Sequence, residues 1–202
     1  MDTTRLQEFD LRFPGIWIEG KNRDWAFNVQ HILGLVEGLF VEAVASYGLF
    51  QPITFENMRK LRETQRSRYE ECLNLLYAKA FVFALHGIEK LLQHLCDKSM
   101  HPPIQIQKLY DDYKSSFGQL KHIRDSAIHI EDRGRGVNRK QEPIPTHILV
   151  IGGFIDNCFT FSGEDGKQYG VEISEETLKT ARSIIQRVIE SYQWSNIGVP
   201  IL

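Results

Sequence analysis

The chain has 202 residues, a quarter of them charged, and a formal net charge of −2. That length suffices for one sizeable core. The near balance of charge excludes a protein coated in basic surface for duplex DNA, but leaves room for a local anion-binding cleft.

Residues 1–21 carry Gly15-Ile-Trp-Ile-Glu-Gly20, alternating bulky residues bracketed by glycines. This suits a short strand that pairs with strands near the C-terminus. The N-terminus is acidic and mixed rather than signal-like, and no apolar run is read as long enough to span a membrane. A first helix is expected from Asn22 or Arg23 to Tyr47, with Trp25, Val29, Ile32, Leu33, Val36, Leu39, Phe40, Ala43 and Val44 at helical spacing. Gly34 and Gly38 inside it suggest close packing of another helix, and Gly48 and Pro52 end it.

A second helix is expected from Thr54 to Cys96. Its first part holds Arg59, Lys60, Arg62, Arg66 and Arg68, which read as a solvated face or, functionally, a phosphate-tracking ridge. Its second part is expected to bury Leu73, Leu76, Ala80, Phe83, Ala84, Gly87, Leu91 and Leu95. His86, Lys90 and His94 read as surface residues rather than a zinc site, since no carboxylate completes a set except Glu89, on a neighbouring line. Cys72, Cys96 and Cys158 are scattered and odd in number, which fits reduced core thiols of a cytoplasmic protein better than a disulfide framework or metal site.

His101-Pro-Pro103 interrupts the chain, and a short helix over about Gln105–Tyr113 follows. Residues 116–133 read as one further helix, with Ser116 and Gln119 in capping-box spacing and Gly134 as the stop. Leu120, Ile123, Ala127 and Ile130 form its apolar stripe, while Lys121, His122, Asp125, His129 and Asp132 share the opposite side. Asp125 and His129 are four apart, so their side chains can touch. Histidine titrates near neutrality, and a carboxylate partner fixes its tautomer. Arg124 offers a planar fork of donors for phosphate oxygens. Together these are a proton carrier beside an anion clamp.

The loop Arg133-Gly-Arg-Gly-Val-Asn-Arg-Lys140 follows, and Arg133, Arg135, Arg139 and Lys140 suit an anionic backbone. The period then changes. His147–Ile151, Asp156–Ser162 and Gln168–Ile173 read as an antiparallel meander, turning at Gly152-Gly153 and Gly163–Gly166. Ser174 caps a last helix whose Leu178, Ala181, Ile184, Ile185, Val188, Ile189 and Tyr192 form one stripe. The fold expected is mostly α: an antiparallel helix bundle, residues 1–202 as a single domain, with a small three-stranded β meander inserted at about 146–173.

Arg124-Asp125-Ser126-Ala127-Ile128-His129 resembles the R-polar-x3-H motif of the HEPN domain family. The preceding Ala80-Phe-Val-Phe-Ala-Leu-His-Gly-Ile-Glu-Lys-Leu-Leu92 is similar to that family's second long helix. The resemblance covers roughly residues 22–133; the meander departs from the purely helical minimal domain. It implies a metal-independent endoribonuclease, often the toxin of a toxin–antitoxin or phage-defence system, in which the 2′-OH attacks the adjacent phosphate. His129 would be general acid or base, Arg124 would stabilise the phosphorane and Asp125 would orient His129. Ser126 and His122 are weaker candidates to assist. It further implies a homodimer, single-stranded RNA as substrate, an antitoxin protein as a further partner, and neither cofactor nor metal. The rival expectation is a non-catalytic HEPN-like module that binds a nucleotide or a protein through the same cleft.

Overall fold

The computed structural model describes residues 7–20, 22–51, 65–138, 140–145, 152–155 and 158–196; for 65–68 and 133 it describes the backbone alone. The chain is mostly helical, with a small three-stranded antiparallel sheet. Helix α1 spans Arg23–Leu49, α2 Gln65–Leu95, α3 Ile106–Ser116, α4 Leu120–Ile128, α5 Ile130–Gly134 and α6 Glu175–Glu190. Strands β1 (Trp17–Ile18) and β5 (Trp194–Ser195) pair antiparallel. The partner of the N-terminal strand is therefore a segment after the last helix rather than a strand of the meander.

Helix α1 starts where the Asn22 side chain accepts from the Trp25 amide, one of the four donors a helix start leaves without a partner. It buries Val29, Leu33, Val36, Phe40 and Ala43. Among the described residues nothing approaches within 4 Å of where a Cβ would stand on Gly34 or Gly38, so the expected close helix crossing is not found there. The close approach is at Gly87 of α2, where a Cβ would stand 2.8 Å from Leu39 Cδ1. By length and composition α1 is apolar enough to cross a membrane, contrary to the expectation from sequence, and 39% of the relevant window is buried inside the protein.

Helix α2 also departs from its expected orientation. It buries Ala84 and Leu95 as expected, and with them Ala78, Phe81, Val82, Leu85, Ile88 and Leu92, while Leu76 is 57% and Phe83 39% exposed. The run from Ala78 to Leu85 is apolar on almost every side, so helical periodicity allows more than one buried line. Packing against α1 and α4 selects the line through Phe81 and Leu85. Most of the expected basic first part of this helix lies outside the described residues or, at Arg66 and Arg68, has no described side chain. Cys72 is exposed rather than in the core; Cys96 and Cys158 are half-buried.

The meander has the order β2–β3–β4, with β2 at Gly153–Ile155, β3 at Cys158–Ser162 and β4 at Gln168–Glu172. The strand expected at His147–Ile151 lies outside the described residues, as do Asp156 and Asn157. Gly153 belongs to a strand rather than to the expected turn, while Gly152 holds a φ of +76° that favours a residue without Cβ. Phe159 and Phe161 of β3 join the helical core, and β3 and β4 both pack on α4. Ser174 caps α6 by accepting from the Thr177 amide, and the entire expected stripe from Leu178 to Tyr192 is buried. The meander thus forms one wall beside α4, the helix that carries the arginine of the motif.

Candidate functional site

The segment expected as one helix over 116–133 is divided. Ser116 ends α3 and its hydroxyl donates to the Asp112 carbonyl, and Gln119 takes the Gly170 amide on its side-chain oxygen. No capping box forms, because both side chains are used elsewhere. Helix α4 then ends at His129, whose φ of −100° and ψ of 43° leave the helix before α5 begins. Two β-branched isoleucines flank this break, and such residues lose χ1 freedom in a helix. Leu120 and Ile123 of the expected stripe are buried, whereas Ile130 beyond the break is exposed.

Arg124 and Asp125 form an ion pair, with Nη1 donating to Oδ1 at 2.7 Å; the arginine side chain is 40% exposed and the aspartate 15%. The carboxylate expected to orient His129 is therefore held by the motif's own arginine. The imidazole of half-buried His129 instead lies with the carboxylates of Glu131 and Asp132, their candidate ligand atoms within 4.8 Å of one another. Asp132 is buried, and its Oδ1 accepts from Arg135 at 2.6 Å and Gln141 at 3.1 Å. The Gln141 bond, then the Arg135 bond and charge, hold this carboxyl below the usual carboxylate range, against the opposing effect of burial. Asp132 is thus an ionised acceptor beside His129 at neutral pH. The three groups have metal-ligand character, but an oxygen of one is already committed to a guanidinium and an amide.

Ser126 is fully buried, and its hydroxyl donates to the Ser162 carbonyl at 3.0 Å. This assigns it to fastening α4 on β3. His122 is exposed and stacks on Tyr169 of β4, ring centres 4.1 Å apart and planes 9° from parallel. Beside them a cleft of about 280 Å³ is lined by Lys121, His122, Asp125, Ser126 and the turn Gly163-Glu-Asp165. The Tyr169 hydroxyl donates to Asp165 at 2.7 Å and holds that carboxyl low. The acidic wall repels phosphate, so an anion is received best from the side of Lys121.

The described part of the expected basic loop is closed by hydrogen bonds. Asn138 accepts the Lys140 and Glu142 amides on its side chain, and Val137 bridges to Pro143. Arg135 and Lys140 are exposed, the former bonded to Asp132. Arg139 lies outside the described residues, as does the side chain of Arg133.

His86 was expected on the surface and is 6% exposed, with no hydrogen-bond partner for Nε2 among the described residues. Burial first, then the charge of Arg124, push its pKa down to about 4. His94 is exposed and sits 3.2 Å from Asp97. Sequence reasoning missed His86 as a neighbour of Arg124; the signal was its position beside Leu85 and Ile88 on the line that α2 buries. A larger groove of about 460 Å³ between Gln7–Leu11 and α1 is mostly apolar and holds neither Arg nor His.

No family model, curated protein or solved structure matches this chain. An imidazole beside an ionised carboxylate can move a proton. An exposed guanidinium can exchange its own aspartate for a phosphate oxygen.

Proposed function

We propose that the chain is a metal-independent endoribonuclease of the HEPN kind, acting on single-stranded RNA. The observation that carries the reading is the pair of half-exposed groups on one edge of the fold. Arg124 is on α4, and His129 is at the break after it with Asp132 beside its ring. In the reaction an imidazole accepts the 2′-OH proton as the 2′-oxygen bonds to phosphorus. The bond from phosphorus to the 5′-oxygen breaks, and that oxygen receives a proton from a second acid. The products are a 2′,3′-cyclic phosphate and a 5′-hydroxyl. Arg124 holds the non-bridging oxygens as charge grows on them.

Within one chain the guanidinium is spent on Asp125, and the imidazole lies with Glu131 and Asp132. A homodimer supplies the second acid and aligns Arg124 of one protomer with the reacting phosphate. Apolar side chains left exposed support this: Ile128 and Ile130 on either side of His129, and Leu76 and Phe83 on α2. Association of such a patch excludes water from the cleft. The setting that follows is a cytoplasmic toxin or phage-defence nuclease, with an antitoxin protein as its natural restraint. Expression in a bacterial host tests it: growth should stop with the wild-type chain and continue with His129→Ala produced at the same level. Equal growth with both would remove the reading. RNA binding without cleavage would favour the non-catalytic module.

A further inference from the structure

Lys121 and His122 precede the motif on α4, and both line the cleft of about 280 Å³ beside the turn Gly163-Glu-Asp165. The His122 ring lies flat on Tyr169, centres 4.1 Å apart and planes 9° from parallel, yet the residue is exposed. One ring face is covered, so the exposure comes from the other face and the edge. Tyr169 is not among the walls of the cleft; it backs the imidazole. The tyrosine is braced in turn. Its hydroxyl donates to Asp165 Oδ2 at 2.7 Å, and Asp165 Oδ1 accepts the Lys167 amide at 3.1 Å. Gly163 makes the room, since a Cβ there would stand 2.5 Å from Tyr169 Cε2 and 2.9 Å from Asp165 Oδ1. A flat ring with one face held and the other open is a stacking platform, and every nucleobase has a π-face to lay on it.

The walls choose among bases. Asp125, Glu164 and Asp165 line the cleft, so carboxylate acceptors dominate it, with Lys121 as its cation. An exocyclic amine donates to such a wall, as the N4 amine of cytosine does to Asp or Glu. Uracil carries a carbonyl oxygen at that point, which the carboxylates repel. Asp125 is also ion-paired to Arg124 at 2.7 Å. A base in the cleft therefore lies beside the phosphate that takes the guanidinium from Asp125. We propose that the His122–Tyr169 stack and its cleft form a nucleobase subsite, which receives a base next to the scissile phosphate and prefers an amino-bearing base to uracil. The proposal rests on the ribonuclease reading for its place beside the cut, but not for its binding chemistry.

Titration of the purified protein with 5′-CMP and with 5′-UMP, followed through the aromatic ring signals by NMR, tests this. The two nucleotides differ only at N3 and at the group on C4, so ring size and phosphate cancel. CMP should shift the His122 and Tyr169 ring signals and bind about tenfold tighter than UMP. His122→Ala should weaken CMP binding about tenfold. His122→Phe, which keeps a ring but loses both nitrogens, should retain most of the affinity. Glu164→Gln should narrow the gap between CMP and UMP. These variants exchange exposed side chains, so their circular dichroism should match the wild type. No binding of either nucleotide, equal affinities for the two, or a loss in His122→Phe as large as in His122→Ala overturns the proposal. In cleavage of a mixed-sequence RNA, cuts should fall beside cytidine, adenosine or guanosine and avoid runs of uridine. Cuts as frequent within uridine runs overturn the placing of the subsite beside the cut. If the chain cuts no RNA, the ribonuclease reading falls, and the CMP titration alone decides the subsite.

Discussion

Arg124 Nη1 lies 2.7 Å from Asp125 Oδ1, so the cation of the motif is held by its immediate neighbour in the chain. A phosphate must compete with that carboxylate. Asp125→Asn should therefore tighten binding of a non-cleavable 2′-deoxy oligonucleotide by about fivefold, the value of about 1 kcal/mol of exposed ion pair. Turnover should fall, because the guanidinium loses its guide. Fluorescence anisotropy at fixed salt reads the first effect. Unchanged affinity would mean that Arg124 does not meet the phosphate.

The basic loop divides into two roles. Lys140→Ala removes an exposed charge and should only weaken RNA binding, reducing the salt slope by about 0.7 for a single-strand phosphate contact. Arg135→Ala should do the same and also slow cleavage at saturating RNA, because it releases the Asp132 carboxylate that lies beside His129. Neutralising Arg133, Arg135, Arg139 and Lys140 together should flatten the salt dependence further. Equal kcat in the Lys140→Ala and Arg135→Ala proteins would dissociate Asp132 from the chemistry.

Ser126 separates stability from activity. Ser126→Ala removes the buried bond to the Ser162 carbonyl, a cost of about 0.5–1.5 kcal/mol. Thermal unfolding should shift down accordingly while kcat stays near wild type. A large loss of kcat with unchanged Tm would restore Ser126 as a catalytic candidate.

His86 also predicts an acid limb of stability. Its pKa is lowered from 6.5 to about 4 in the folded protein, so between those values the unfolded chain binds the extra proton and the folded one does not. Stability from this group is present above pH 6.5 and is lost as pH falls toward 4. Urea unfolding at steps from pH 7 to pH 4 should show wild type losing stability relative to His86→Gln. Parallel curves would mean the ring is not held neutral by its surroundings.

The sequence made the element types legible wherever one apolar line was unambiguous. Helix α6 is the clearest case, since Leu178 through Ile189 alternate with charged residues and leave a single face to bury. It failed where apolar residues ran around the helix. Phe81, Val82 and Phe83 cannot all face inward, and only the seating of α1 and α4 puts Phe83 outside. The site shows the same division. Arg124 and His129 were legible from spacing, but the break at His129 was not, since it lies inside a stretch of helical periodicity, and neither was the bond from Gln141 to Asp132, nine residues apart. The stacking of His122 on Tyr169 is a contact between distant segments, beyond the reach of any local pattern.

The exposed apolar edge makes the dimer testable. Phe83→Glu places a charge on a solvent-reaching helix face, so the fold should persist with circular dichroism unchanged. Sedimentation should shift from dimer to monomer, and cleavage should be lost in step. A monomeric wild-type protein that cleaves at full rate would remove the shared site.

The central claim is metal-free transesterification through Arg124 and His129. Its most direct test is cleavage of single-stranded RNA by purified protein in excess EDTA, with the 3′ ends of the products identified by mass spectrometry. The account predicts undiminished cleavage and a 2′,3′-cyclic phosphate. It also predicts losses of about 10²–10⁴-fold for folded His129→Ala and a comparable loss for Arg124→Ala, only partly recovered in Arg124→Lys. Abolition of cleavage by EDTA with recovery on Mn²⁺ would assign His129, Glu131 and Asp132 to a metal instead, and wild-type rates in His129→Ala would contradict the account outright.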